Sequence, residues 1–519
     1  RPARSPLPRG QRAQYFHEAD LQDPGAAYYC PMGAWSGNGP VLRLSHGWLD
    51  CTLQEAFDPA RCDPKREDTW PSVQPLPGQV FLDRYGAKPV SGSSSGPRRV
   101  HPDHLREQSH EPPLLSLVFV RWNGTALGVS TEGDGSWGSY GSPPSDMYLS
   151  ALVEEGVKSH PQLGGAAGSY EVLSLFVRNS KEVASLMPAA PWLRASLHGQ
   201  KRTLFWMVWP AEWQDTDERY YAGYVDKRTL FDAMRTCEEA GLHTGFPHPS
   251  DLYELITSKT WMASLCTQPS ARLPAATLVG KGSIIKDAKA AAKQAAAALQ
   301  FIRTRSPFPA GPGEPAALSD ENRGKLKKGI VKLGWSWEAR YVAPWVGEEQ
   351  LQARLTEMVT MEGCSADTVI VQEWVDFDFE MRLYFVPPAD WTTAQGRLEP
   401  EKIECNAWEG YTEDGRPQKF LKYPEERCLK AWQGDKEALR AATDQCIETS
   451  QDLLVWLLVN CSEPVPFIRL DFMLRRLGPG KARVVFGEYC EMGACSLGWK
   501  EGPVRTWRAA LDSALHWAA

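Results

Sequence analysis

Two apolar runs near the C-terminus each carry acids, and they constrain this chain more than any other feature. Phe467-Ile-Arg-Leu-Asp-Phe-Met473 reads as a strand whose alternation places Arg469 and Asp471 on one face. The next apolar run ends in Phe486-Gly-Glu-Tyr-Cys-Glu491, with Glu488 seventeen residues after Asp471. Apolar strands rarely carry inward acids unless their charge is compensated, and a divalent cation held by oxygen ligands compensates it. Two antiparallel strands of this kind would bring Asp471 and Glu488 together, leaving Arg469 to neutralise a transferring phosphate. The plainer reading is a salt bridge between Arg469 and one of the acids.

Two upstream segments add to this. Lys332 ends the apolar strand Gly329-Ile-Val-Lys-Leu, ahead of the turn Gly334-Trp-Ser-Trp-Glu338. A lysine there can set its ammonium against phosphate oxygens while loop N–H groups cover them; the alternative is a solvated lysine. Val369-Ile-Val-Gln-Glu-Trp-Val375 then breaks into Asp376, Asp378 and Glu380, followed by Arg382. Backbone groups at such a hinge can read an adenine edge, and a nearby carboxylate can take ribose hydroxyls. A hydrophobic hairpin with a charged tip is the competing reading.

The rest of the chain alternates strands and helices. Strands are expected at 114–122, 125–130 (across an Asn123-Gly124 turn), 171–178, 203–209, 275–279 and 328–333. Helices are expected at 146–158, 227–240, 250–267, 286–302, around 348–361, and at 435–459. The alanine-rich helix 286–302 reads as solvated despite its lysines. At 519 residues the chain should hold three or four domains. The expected division is an unassigned N-terminal region 1–112 with a linker at about 88–113, a β-rich or mixed domain with a hairpin at 113–205, an α/β segment at 206–280, and a nucleotide-binding domain at 256–519.

Composition narrows the partners. A net charge of -7 supplies no electrostatic reason to bind nucleic acid or an anionic membrane. The longest apolar run, Leu453 to Val459, is far too short to span a bilayer. Twelve cysteines without a CxxC pair read as reduced core thiols, with cytoplasm as the expected compartment. The chain opens on Arg1, and a fragment or processed product is therefore expected. Gly133-Asp-Gly-Ser-Trp-Gly138 fits GxGxxG literally, yet Pro143-Pro144 interrupts the helix that a dinucleotide site requires. Gly280-Lys281-Gly-Ser283 lacks the upstream glycine of a P-loop.

The order of these parts, over about Arg219 to Pro503, resembles the ATP-grasp superfamily. His243-Thr-Gly-Phe-Pro-His-Pro-Ser-Asp and Ser258-Lys259-Thr-Trp are similar to that family's entry into its nucleotide domain, as is Leu273-Pro274 before a strand. The resemblance implies an α+β fold of two subdomains gripping Mg-ATP (Mn2+ being a possible substitute), preceded by a small α/β domain. It implies Lys259 and Lys332 at the phosphates and Gln372, Glu373, Trp374 and Val375 at the adenine. Asp378 and Arg382 would also meet the nucleotide, Arg469 the transferred group, and Asp471, Glu488 and Glu491 the metal. Two departures stand out: the phosphate-covering loop holds one glycine and two tryptophans, and Cys490 occupies the place of the asparagine in the family's Glu-x-Asn motif. Trp374 to Val386, with Glu380-Met-Arg382, also resembles the cell division cycle protein 123 branch, whose members assist assembly of a translation factor.

The activity so implied is a ligase that activates a small-molecule or peptide carboxylate as an acylphosphate for attack by an amine or similar nucleophile. The alternative is an ATP-binding assembly chaperone with a protein client; phosphoryl transfer to an alcohol would use the same residues.

Overall fold

A computed structural model of the chain describes residues 5–18, 29–31, 41–76, 97–107, 111–122, 156–164, 169–177, 179–212, 224–309, 317–335, 341–392, 396–411, 417–492, 499 and 501–517. The N-terminal part contributes β1 (Arg12–Glu18), β2 (Tyr29–Pro31), β3 (Val41–Leu53), β4 (Ser72–Pro75), β5 (Arg98–Arg99), β6 (Leu105–Glu107), β7 (Leu115–Trp122), β8 (Tyr170–Val177), β9 (Lys201–Met207), the short pair β10 (Trp209–Ala211) and β11 (Tyr224–Asp226), and β12 (His243–Phe246). All but β10 and β11 belong to one ten-stranded sheet with the main path β12-β9-β7-β8-β3-β1-β6. This sheet takes strands from all three segments that the sequence separates at 112 and 205.

Its parallel centre follows from composition. Leu117, Val118, Phe119 and Val120 of β7 are fully buried on both faces, as expected of a strand covered on two sides. Parallel partners β8 and β9 fill both edges of β7. The expected return strand 125–130 and helix 146–158 lie outside the described residues. Helices α1 (Ser180–Ala184), α2 (Leu186–Ser196) and α3 (Lys227–Glu239) cover the sheet. Asp226 caps α3 by accepting the Thr229 N–H, and Gly241, at φ +83, ends it.

The helix expected over 250–267 is two helices, α4 (Ser250–Ser258) and α5 (Trp261–Leu265), broken at Lys259, whose φ of 57 is left-handed. A small antiparallel sheet follows. It is built from β13 (Ala276–Gly280), β14 (Lys328–Lys332), β15 (Val342–Val346) and β16 (Thr368–Glu373) in the order β13-β16-β14-β15. It is backed by α6 (Lys281–Lys286), α7 (Ala288–Arg305) and α8 (Gly347–Thr360). The alanine-rich α7 is solvated on one side only: Ala291, Ala292, Ala295 and Leu299 pack with Val331, Val369 and Val371 of the sheet.

The larger antiparallel sheet comprises β17 (Phe379–Phe385), β18 (Lys402–Tyr411), β19 (Pro417–Lys422), β20 (Ile468–Gly478) and β21 (Lys481–Cys490), ordered β19-β18-β17-β20-β21. Helices α9 (Glu425–Ala431) and α10 (Lys436–Asn460) back it. β16 and β17 do not form a hairpin. They belong to different sheets, and residues 374–378 cross between them. The last helix, α11 (Gly502–Trp517), returns to the N-terminal sheet, where Trp507, Ala510 and Leu511 share a core with Phe205, Phe246, Tyr384 and Phe467. The whole is an α+β fold.

Candidate active site

The larger sheet has two chemically distinct faces. Leu383, Phe385, Leu470, Phe472, Leu474 and Phe486 pack on Ala442, Cys446, Leu453 and Leu457 of α10. The opposite face is set by cross-strand register: Glu380 lies opposite Asn406, Arg382 opposite both Glu404 and Asp471, and Asp471 opposite Glu488. Directly opposed residues share a face, so these polar side chains form one continuous patch. A regular strand would put Phe486 and Glu488 on the same side. The register slips between Asp471 and Phe472, pairing Phe472 with Phe486 but Asp471 with Glu488. This bulge at Gly487 sends the phenylalanine into the core and the acid to the polar face.

The charges there are tightly paired. Arg469 donates to both oxygens of Asp471 at 2.8 and 2.7 Å, and Arg382 Nε is 3.6 Å from the same carboxylate. The Arg469–Asp471 salt bridge thus forms, and within it Asp471 still lies beside Glu488. Lys259, presented by its left-handed turn, places Nζ 3.0 Å from Glu488 Oε2. Burial works to raise the Glu488 carboxyl, but the Lys259 and Lys332 ammonium groups overcome it and hold the group at about 2. Lys332 is the converse case: burial, with help from Lys259, pushes it down to about 7 against the pull of Glu488. Burial pushes Glu380 up to about 7, opposed by Arg382 and reinforced by Asp471 and Glu488.

Lys332 comes from the small sheet, and its approach has a local cause. A Cβ on Gly334 would lie 2.3 Å from the Ser258 carbonyl oxygen, so the chain after Lys332 rests directly on the Lys259 turn. The Gly334 amide donates to Glu212, which is buried and accepts from Lys227 Nζ at 2.8 Å. The same ammonium lies 4.0 Å over the Trp335 ring. Ser336 to Glu338, the rest of the expected phosphate-covering loop, lie outside the described residues.

Among the described residues, Asp471, Glu488 and Cys490 have ligand atoms within 4.8 Å of one another. Glu491, expected as the third ligand, is outside that set; it is buried, and burial raises its carboxyl. Cys490 takes its place at the cluster because it is two residues from Glu488 and therefore on the same face. Its sulfur accepts from Arg469 Nη2 at 2.9 Å, and burial raises the thiol well above its ordinary range. A neutral thiol suits a hard cation poorly, so the two carboxylates are the fitting donors.

Lys259, Lys332, Arg382, Arg469, Asp471 and Glu488 therefore converge, with Glu491 outside the cluster, while the hinge stands apart. Gln372 and Glu373 are buried at the end of β16, and Arg303 Nε is 3.1 Å from Glu373 Oε1. The N–H groups of Glu373 and Trp374 are taken by the carbonyls of Ala275 and Lys328, at 2.9 and 3.2 Å. Val375 packs with Leu318 and Val485. Asp378, expected at the nucleotide, instead accepts from Trp432 Nε1 and the Arg476 N–H, both at 2.8 Å, so its carboxylate pins the crossover to the larger sheet. Glu404 and Asn406, on the polar face, were not expected. The alternation Glu404-Cys-Asn406-Ala-Trp408 is the signal that marks them.

No protein-family model matches the sequence, and no curated protein matches it. Among solved structures, the chain is similar to the D-cycloserine synthetase DcsG at 14% identity, covering 77% of this chain and 99% of that one, with a TM-score of 0.40. For the VanG D-Ala:D-Ser ligase from Enterococcus faecalis the identity is 13%, the coverage 78% and 100%, and the TM-score 0.43. For an L-amino acid ligase from Bacillus licheniformis the figures are 10%, 78% and 75%, and 0.37. The chain's own elements, two antiparallel sheets each backed by helices and meeting at a charged cluster, form the α+β architecture of two subdomains implied by the resemblance to the ATP-grasp superfamily.

Proposed function

We propose that this chain is an ATP- and Mg-dependent ligase that joins a small-molecule or peptide carboxylate to an amine or similar nucleophile. One observation carries the reading: Lys332 from the small sheet, Lys259 from its turn, and Arg469 from the larger sheet converge on the adjacent carboxylates Asp471 and Glu488. Buried cations and acids in near balance can exchange partners when a triphosphate and its metal enter together, without stranding a charge. Lys259 and Lys332 would turn to phosphate oxygens, Arg469 would face the transferred group, and Asp471 and Glu488 would hold Mg2+. The residues fit the metal in charge, donor type and adjacency. Once bound there, the ion would draw charge from the phosphate oxygens. The chain's own part is to position the reactants and exclude water, and no protein nucleophile is required.

The adenine would lie at the hinge formed by Gln372, Glu373, Trp374 and Val375, between the two sheets. Arg382 would hold Asp471 in place rather than meet the nucleotide. The test is ADP release from Mg-ATP in the presence of pooled small carboxylates and amines. Asp471→Asn should lower turnover by roughly a hundredfold or more. Turnover at the normal rate in that variant would overturn the assignment, and nucleotide binding without ADP release would favour the assembly-chaperone alternative.

A further inference from the structure

The polar face of the larger sheet extends beyond the cluster that would hold Mg-ATP. On β18, two strands away from Asp471, Asn406 is fully buried, with neither its amide nitrogen nor its amide oxygen partnered. Two residues before it, Glu404 is 4% exposed; its Oε2 accepts from the Tyr384 hydroxyl at 3.1 Å, while its Oε1 has no partner. Glu380, opposite Asn406, is met by Trp408 Nε1 at 3.4 Å. An unpartnered buried polar atom is costly, and three gathered on one row point to an occupant that satisfies them.

The chemistry of that occupant follows from the atoms left over. Burial raises the Glu404 carboxyl against the pull of Lys422 and of Arg382 opposite it, and a cationic donor at the open Oε1, with Glu380 as a second acid nearby, would hold it as a carboxylate. An amide with both ends open can exchange two hydrogen bonds with a second amide or with an amino acid's backbone groups. The strands are spaced about 4.8 Å apart, placing β18 about 10 Å from β20, close enough for one small molecule to reach from this row to the phosphate-facing cluster.

We propose that Glu404 and Asn406 form the subsite for the amine nucleophile, an amino-acid-like or peptide-like primary amine whose ammonium meets Glu404 and whose adjoining amide meets Asn406. The assignment rests on the ligase reading for its role, but not for its chemistry.

Glycinamide, which carries both an ammonium and a carboxamide, is the probe, with acetamide and acetate as controls. Each is titrated calorimetrically into the full chain, with and without saturating Mg-AMPPNP. Glycinamide should bind and the controls should not. Glu404→Gln and Asn406→Leu should each weaken glycinamide by about tenfold or more while Mg-AMPPNP affinity stays within about twofold. Asn406→Asp, nearly isosteric, guards against a folding defect, with the unfolding midpoint recorded for every variant. Undetectable glycinamide binding, tighter binding of acetate, or unchanged glycinamide affinity in folded variants would each overturn the subsite. If glycinamide binds as expected but Mg-AMPPNP does not, the ligase reading falls and the amine site stands.

Discussion

Lys332 shows how a single residue takes its behaviour from its surroundings. Its ammonium is lowered to about 7 by burial and by Lys259, whereas in the unfolded chain it titrates near 10.5. Between these values the folded chain binds fewer protons than the unfolded one, so the contribution of Lys332 to stability rises as pH rises through that window. Phosphate oxygens beside Lys332 would restore its proton. Nucleotide binding near pH 8 is therefore expected to take up a proton, read as a binding enthalpy that varies with the ionisation enthalpy of the buffer. Lys332→Arg, always charged, should remove that dependence; a buffer-independent enthalpy in the parent chain would contradict it. Gly329 is constrained sterically. A Cβ there would meet the Gln372 carbonyl at 2.3 Å and the Trp345 ring at 2.5 Å. Gly329→Ala should destabilise by roughly 1–3 kcal/mol in denaturant titration. The shared face of Arg469 and Asp471 was legible from alternation, and the meeting of Asp471 with Glu488 was expected from two apolar runs that each deliver an acid. The bulge at Gly487 that completes it was not, because a register slip depends on the partner strand.

At the scale of elements, most strands and helices follow from periodicity. β8 begins one residue before its expectation, and α10 covers 436–460 against an expected 435–459. The failures have tertiary causes. Lys259 breaks α4 from α5 in a left-handed conformation that no local residue pattern announces, and β16 and β17 read as a pair because an apolar run on each side of a charged tip fits a hairpin equally well. Another element-scale feature is the join between the small sheet and the N-terminal part. Lys227 pairs with the buried Glu212 and lies near Asp367, which Arg228 also holds at 2.6 Å. Removing one member of a buried pair strands the other, so Lys227→Met should cost roughly 3–5 kcal/mol, while the double change with Glu212→Gln should recover much of it. Equal losses in the single and double variants would show that the pair is not the cause.

For the whole molecule, the N-terminal sheet and the larger antiparallel sheet share one core. Phe205 and Phe246 share a core with Tyr384, Phe467, Trp499 and α11, and His243 Nε2 contacts Glu463 Oε2 at 2.8 Å. A fragment starting near residue 256 would uncover the buried face of α11, including Trp507 and Leu511. Such a fragment should aggregate or unfold well below the midpoint of the full chain in scanning calorimetry. A soluble fragment with an unchanged midpoint would show that the parts are independent. Among the described residues no helix is long and apolar enough to cross a membrane, in agreement with the short apolar runs.

Residue pattern by itself determined the charged strands, the lysine at the end of β14, and the α+β alternation. All of these depend on local spacing and on the cost of burying charge. Tertiary structure decided which sheet each strand joins, which acids meet a cation, and that Cys490 rather than Glu491 completes the cluster. It also decided that Asp378 serves the hinge and that Glu404 and Asn406 face the site. These outcomes depend on register and on contacts between residues far apart in the chain, and alternation along one strand cannot specify its neighbour.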